Sequence, residues 1–212
     1  MMNILILGAN GKIARQAEKL FLKETNDNLV CFLRNSKRLA NQASERVTVI
    51  EGDATKANQI ADTITKYHID TVYANLAGPM EKFAQEIIKA MELTDLKKLI
   101  FIASLGVHDE VPGKFGEWNN RELKDYLPPY KAAVKLITAS NLNYVIIRPA
   151  WLTDKDEIDY EITNTGEPFK GTEVSRKSVA SFVVKASHSS EYDRQDIGLN
   201  KPNTDGDKPS FM

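Results

Sequence analysis

The chain has 212 residues, of which 42% are hydrophobic and 27% charged, and its 28 basic side chains nearly balance 29 acidic ones for a formal net charge of −1. That length suits a single domain, residues 1–212, able to bury about 70% of the surface its unfolded chain exposes, with no need of disulfides or a metal. The near-zero charge gives no global field toward nucleic acid or an anionic membrane, the lone Cys31 cannot close an internal disulfide, and no apolar run reaches the roughly 18 residues of a membrane helix.

The start, "MMNILIL", has no basic region and its apolar stretch ends at Gly8. No signal peptide is therefore expected, and a cytoplasmic protein is. The run "NILILG" (3–8) predicts a buried strand, with a helix over 12–25 behind it. "NLVCFLR" (28–34) predicts a second strand and "RVTVIEGD" (46–53) a third, followed by a helix near 56–67. "DTVYANLAG" (70–78) predicts a fourth strand and 80–94 its helix; "LKKLIFIASLG" (97–106) predicts a fifth. A helix at about 129–140 leads into a sixth strand, "NYVIIRPAW" (143–151). Near-continuous apolar strands separated by helices predict an α/β fold: a doubly wound, mostly parallel sheet with helices on both faces.

After Pro149 the pattern changes. Residues 150–200, through "DYEITNTGEPFKGTEVSRKSVASFVVKAS" (159–187), read as a strand, a Gly/Pro turn, a short strand and a helix capped by Ser175, with an apolar face of Val179, Phe182, Val183 and Ala186. They predict a small C-terminal lid on the substrate side. Residues 201–212, rich in Pro, Gly and Asp, predict a mobile tail.

Between the first strand and helix stands Gly8-Ala9-Asn10-Gly11-Lys12-Ile13-Ala14, a G-x-x-G-x-x-A turn. In that context Gly8 permits a tight turn, Gly11 lets a pyrophosphate approach the backbone, and Ala14 lets the helix pack close to the sheet. The N–H groups and dipole of the helix then face an anion. A glycine turn that merely connects strand to helix is the plainer alternative. The second strand ends at Arg34, with Ser36, Lys37 and Arg38 after it. A free ribose 2′-hydroxyl is usually held there by an acid, whereas a guanidinium matches a 2′-phosphate, so NADP(H) is expected over NAD(H). Asp53, at the end of the third strand, can accept from an adenine amino group or cap the next helix. "ANLAG" (74–78) leaves room for a ribose at the sheet edge.

These segments, with "IASLG", "PYKAAVKLITASNLNYVIIRPAWL" and "VSRKSVASFVV", occur in an order that resembles the atypical short-chain dehydrogenase/reductases. More narrowly, the chain resembles their NAD(P)H-binding, NmrA-like branch with its flavin/biliverdin-IXβ-type reductases. The resemblance spans about residues 3–200, and its more specific mark is S-x-L-x-Y-x-I-x-R-P, here Ser140 to Pro149. It implies a Rossmann-type fold and hydride transfer from NADPH to a small flat or carbonyl-bearing acceptor. By position it implies cofactor contacts from Gly8, Asn10, Gly11, Lys12, Ile13, Arg34, Asp53, Ala54, Leu76, Ala77, Gly78, Ser104, Lys131, Pro149 and Ala150. Ser104 and Lys131 are the implied catalytic pair, one orienting the substrate and the other reaching the nicotinamide ribose.

The sequence departs from the wider superfamily in its tyrosine. In Tyr-x-x-x-Lys the tyrosine stands four residues before the lysine, and four before Lys131 is Leu127. Tyr126 and Tyr130 fall off register. An alternative function follows: a non-catalytic redox sensor of the NmrA type, acting through a protein partner. An epimerase with tightly bound NAD would want the Tyr/Lys pair and an acid in place of Arg34. Phe115, Trp118 and Trp151 are expected to wall an apolar substrate pocket, and His108 in the same loop could titrate near neutrality. His68 and His188 are isolated, so no metal site is expected. A small-molecule substrate is the expected partner, with no nucleic acid and no membrane. A monomer is the default state.

Overall fold

A computed structural model describes all 212 residues. The elements run β1 (Asn3–Leu7), α1 (Lys12–Glu24), β2 (Asn28–Leu33), β3 (Val47–Glu51), α2 (Ala57–Lys66), β4 (Thr71–Ala74), α3 (Met80–Leu93), β5 (Lys98–Ile102), α4 (Gly113–Glu122), α5 (Leu127–Ala139), β6 (Asn143–Pro149), β7 (Trp151–Thr153), β8 (Glu161–Asn164), β9 (Glu173–Ser175), α6 (Arg176–Ser187) and β10 (Gln195–Asn200). A 3₁₀ segment, Ser36–Gln42, follows β2. Eight strands form one sheet in the order β3-β2-β1-β4-β5-β6-β10-β8, and β7 pairs with β9 beside it. Every pair in the large sheet is parallel except β10 with β8. This is a Rossmann-type α/β fold whose strand order reverses between β1 and β4.

The strands alternate with period two between the two faces of the sheet. In β1, Ile4 and Ile6 join the core under α1 and α6, while Leu5 and Leu7 join the core under α2, α3 and α5. In β6, Val145 and Ile147 face the first layer, and Tyr144 and Ile146 the second. Because both faces are covered, all four of these β1 residues are fully buried. Each such side chain contributes roughly 1.5–3 kcal/mol.

The segment expected as a C-terminal lid plays two parts. Most of it completes the main fold. Helix α6 packs beside α1, with Val179, Phe182, Val183 and Ala186 fully buried, and β10 is an internal strand of the sheet. The Ser175 side chain caps α6 by accepting from the Ser178 N–H at 2.9 Å. Only β7, β9 and the residues around them stand at the carboxyl ends of the strands as a wall. The tail expected to be mobile is seated against that wall. Ser210 donates from its backbone N–H and its hydroxyl to Glu173, at 2.9 and 2.7 Å. Thr204 accepts from the Thr172 backbone N–H and hydroxyl.

Under α1 the sheet buries a titratable cluster. Glu18 is 4% exposed, and it lies with Cys31 of β2 and Tyr73 of β4. Desolvation dominates and pushes the Glu18 carboxyl up to about 7, against a weaker pull from Arg15. Burial likewise raises Cys31 and Tyr73. Because the folded protein holds the Glu18 proton more tightly than the unfolded chain, this group's stabilisation is complete below about pH 4.5. It is lost as pH rises through about 7. Glu18→Gln is therefore expected to gain about 2.5 kcal/mol relative to the parent between pH 5 and pH 8. Urea unfolding at both pH values checks this; a pH-independent difference would contradict it.

Candidate functional site

The fold opens a cleft along the carboxyl edge of the sheet, at the point where the strand order reverses. It consists of two cavities of about 630 Å³ each. Both are lined by Gly11, Asn75, Leu76 and Ala77, so they are two ends of one groove.

The glycine turn forms the middle of the groove. Gly8 has φ +79°, and a Cβ there would stand 2.3 Å from the Asn75 carbonyl oxygen. Its N–H donates to the Phe32 carbonyl and its own carbonyl accepts from the Gly11 N–H, locking the turn. Gly11 has ordinary extended dihedrals as the residue before α1, but a Cβ there would stand 2.1 Å from the Asn75 side-chain nitrogen. No side chain caps the α1 N-terminus. The result is a backbone cradle, with the Asn75 side-chain amide beside Gly11, facing helix N–H groups: an arrangement suited to a pyrophosphate.

The first end of the groove is lined by Asn10, Arg34, Asn35, Arg38, Asp53 and Ala54 over Phe32 and Phe83. Arg34 and Arg38 are exposed there. Asp53 does not cap α2. It accepts from the Thr55 N–H and hydroxyl at 2.9 and 2.8 Å, and these bonds hold it below the usual carboxylate range, so it stays a charged acceptor.

The second end is apolar and aromatic. Ile13, Ser104, Pro149, Ala150 and Trp151 line it, together with Lys12, and it also takes in Tyr126, Tyr130, Leu152, Arg176 and Phe211. Trp151 is held in place by its indole N–H, which donates to Asn119 at 2.9 Å. Burial raises the Tyr130 phenol, which therefore keeps its proton at neutral pH. The Ser104 hydroxyl donates to the Leu105 carbonyl at 3.1 Å.

Several expected residues sit elsewhere. Lys131 turns away from the groove and pairs with Asp109 at 2.7 Å. Leu127, in the position of the superfamily tyrosine, is buried in the core at 5% exposure. Phe115 and Trp118 lie on helix α4 rather than a loop. They stand behind Trp151, with Trp118 at 4.7 Å from it between ring centroids and Phe115 buried in the core. Of the three aromatics expected in the wall, Trp151 alone lines the cavity. Gly78 has φ +127° just beyond the lining residue Ala77.

His108 also lies outside the groove. Its Nε2 is 2.6 Å from Asp196, whose hydrogen bond raises the imidazole pKa. Asp196 and Glu110 neutralise the buried Arg148 of β6, and Glu110 accepts from the Gly106 and His108 N–H groups at 3.0 Å. This network pins the loop leaving β5, which carries Ser104. Asn75 was the residue least visible in the sequence. It is the one polar side chain in "ANLAG"; that side chain stands against Gly11, and the Asn75 backbone carbonyl stands against Gly8.

No three His, Cys, Asp or Glu side chains gather where they could hold a metal ion, and no helix is long and apolar enough to cross a membrane.

Comparison with known proteins agrees with this geometry. Residues 8–190 match the family model described as NAD(P)H-binding. A short-chain dehydrogenase/reductase (wide type) from Veillonella parvula, solved in complex with NADP, is 30% identical and superposes with a TM-score of 0.92 over 99% of both chains. A Rossmann-fold NAD(P)-binding family protein from Shigella flexneri is 40% identical over 100% of both chains, with a TM-score of 0.81. An uncharacterized sugar epimerase, YhfK of Bacillus subtilis, is 25% identical over 98% of this chain and 96% of its own.

Proposed function

We propose that this chain, which belongs to the NAD(P)H-binding family, is an NADP(H)-dependent oxidoreductase that reduces a small flat or carbonyl-bearing acceptor. The observation that carries the reading is the continuity of the groove. A basic end at Arg34 and Arg38, a glycine cradle at Gly8 and Gly11, and an aromatic cavity beyond Pro149 follow one another in the order of a dinucleotide and its acceptor. Crystallisation of the Veillonella relative with NADP supports the choice of cofactor.

In this reading the α1 N-terminus holds the pyrophosphate, Arg34 and Arg38 take a 2′-phosphate, and Asp53 accepts from the adenine amino group. NADPH supplies the hydride when bound. Ser104, Pro149 and Ala150 form the floor on which a nicotinamide would lie. Trp151 and Leu152 wall the space above it, with the exposed rings of Tyr126 and Phe211 at its rim. Tyr130 replaces the absent superfamily tyrosine as the group positioned to donate a hydrogen bond or proton, since its phenol stays protonated at neutral pH. A flavin acceptor can take its proton from water instead.

The name of the Bacillus relative raises epimerisation. Arg34 stands where a retained NAD would want an acid, and Leu127 where the proton-shuttling tyrosine would be. Both favour a reductase.

The test is NADPH oxidation at 340 nm with FMN, FAD, quinones, biliverdin and aldehydes, with NADPH binding titrated in parallel. Turnover of a flat aromatic acceptor is expected. Tight NADPH binding without turnover of any acceptor would replace the reductase with a redox sensor that works through a protein partner.

A further inference from the structure

The acceptor cavity is mostly apolar, with neutral polar groups at Asn75, Ser104, Tyr126 and Tyr130, and its charged side chains meet at one edge. Its lining includes two ionised side chains, Lys12 and Arg176, both cationic, and no carboxylate. The nearest countercharge, Asp154, stands outside the lining and serves both cations. It accepts from Lys12 at 3.0 Å and from Arg176 Nη1 at 2.8 Å. Two positive charges against one negative leave the edge with a surplus of one.

The two cations differ in setting. The Lys12–Asp154 pair is solvated, with side chains 70% and 64% exposed, and such a pair contributes little. The Arg176 side chain is only 21% exposed. Its Nη1 is held by Asp154 and the Leu152 carbonyl, and no other protein hydrogen bond engages its guanidinium. A half-used guanidinium beside aromatic walls is a carboxylate receptor, since it offers parallel N–H donors in a region of reduced screening.

We propose that the acceptor is a planar conjugated molecule carrying a carboxylate, that Arg176 binds this carboxylate, and that Asp154 occupies Arg176 until the acceptor arrives. The inference rests on the reading of this cavity as the acceptor site. It assigns Arg176 to substrate specificity rather than to the cofactor. The planar body lies against Trp151 and Tyr130, and the anionic group points to the α6 edge. Exchange of one carboxylate for another at Arg176 lets the acceptor bind without stranding a partly buried charge.

The experiment is calorimetric titration of the NADP⁺-saturated protein with 2-naphthoate and with its neutral isostere 2-naphthamide. Naphthoate is expected to bind about tenfold tighter or more. Arg176→Gln should erase that preference, Arg176→Lys should keep part of it, and Asp154→Asn should tighten naphthoate several-fold by removing the competitor. NADPH affinity should change less than about twofold in Arg176→Gln. Equal affinity for the two probes, no binding of either, a preference that survives Arg176→Gln, or weaker naphthoate binding in Asp154→Asn would each overturn the proposal. So would an equal loss of NADPH binding in Arg176→Gln, which would place Arg176 on the cofactor. Failure of NADPH to bind would instead defeat the oxidoreductase reading, and the carboxylate preference would still be readable on the unloaded protein.

Discussion

Arg34→Ala is expected to weaken NADPH roughly 10- to 100-fold while leaving NADH within about threefold. The guanidinium of Arg34 lies at the exposed end of the groove, immediately after β2, with Arg38 beside it. A 2′-phosphate there would accept charge-assisted hydrogen bonds that a 2′-hydroxyl cannot match. Arg38 retains part of the attraction in the single variant, so replacing both arginines should remove most of the discrimination. The loss should shrink at high salt, because the site is solvated. Fluorescence titration with both cofactors measures it. Equal losses for NADPH and NADH would remove the 2′-phosphate from this place.

Gly11→Val is expected to weaken either dinucleotide by more than about 100-fold and to leave the fold standing. The dihedrals of Gly11, φ −67° and ψ 148°, suit any residue. The atom that an added Cβ would meet is the Asn75 side-chain nitrogen, which can rotate away. The branched side chain would then fill the cradle. Gly8→Ala should behave differently. Its φ of +79° disfavours a Cβ, and the obstruction is the Asn75 backbone carbonyl at 2.3 Å. That variant should lose stability as well as binding. Thermal unfolding alongside cofactor titration separates the two, and a Gly11→Val protein that binds normally would mean that the phosphates lie elsewhere.

The parts that were legible in the sequence share one cause. Strands buried on both faces read as near-continuous apolar runs, so β1 to β6 were found within a few residues of their bounds. The glycine turn was legible because Gly8 needs a positive φ and both glycines stand where a Cβ has no room. Helix α4 was hidden by Gly113, Gly116 and Asn119, poor helix formers that are tolerated because Phe115 reaches the core and Asn119 holds Trp151. Strand β10 was hidden by Asp196, Gly198 and Asn200. Asp196 pays its way inside the sheet as a partner of Arg148, and Gly198 gives way to the Phe169 ring, 2.7 Å from where its Cβ would be.

The aromatic end of the groove was hard to read, because it is assembled from chain segments far apart. Tyr130 is off register with Lys131 in the sequence, yet Lys131 turns to Asp109 while Tyr130 lines the cavity. Arg176 read as the start of a helix, and Phe211 lay in a polar tail with no pattern to mark it. Neither periodicity nor a local motif signals a wall built by tertiary contact.

The central claim is that one dinucleotide spans the groove from Arg34 to Pro149. A crystal structure of the protein with NADP⁺ tests it most directly. The account predicts the 2′-phosphate beside Arg34, the pyrophosphate over Gly11, and the nicotinamide on Pro149 and Ala150, open to Tyr130 and Trp151. A cofactor whose nicotinamide lies outside that cavity, or whose phosphates avoid the α1 N-terminus, would contradict it.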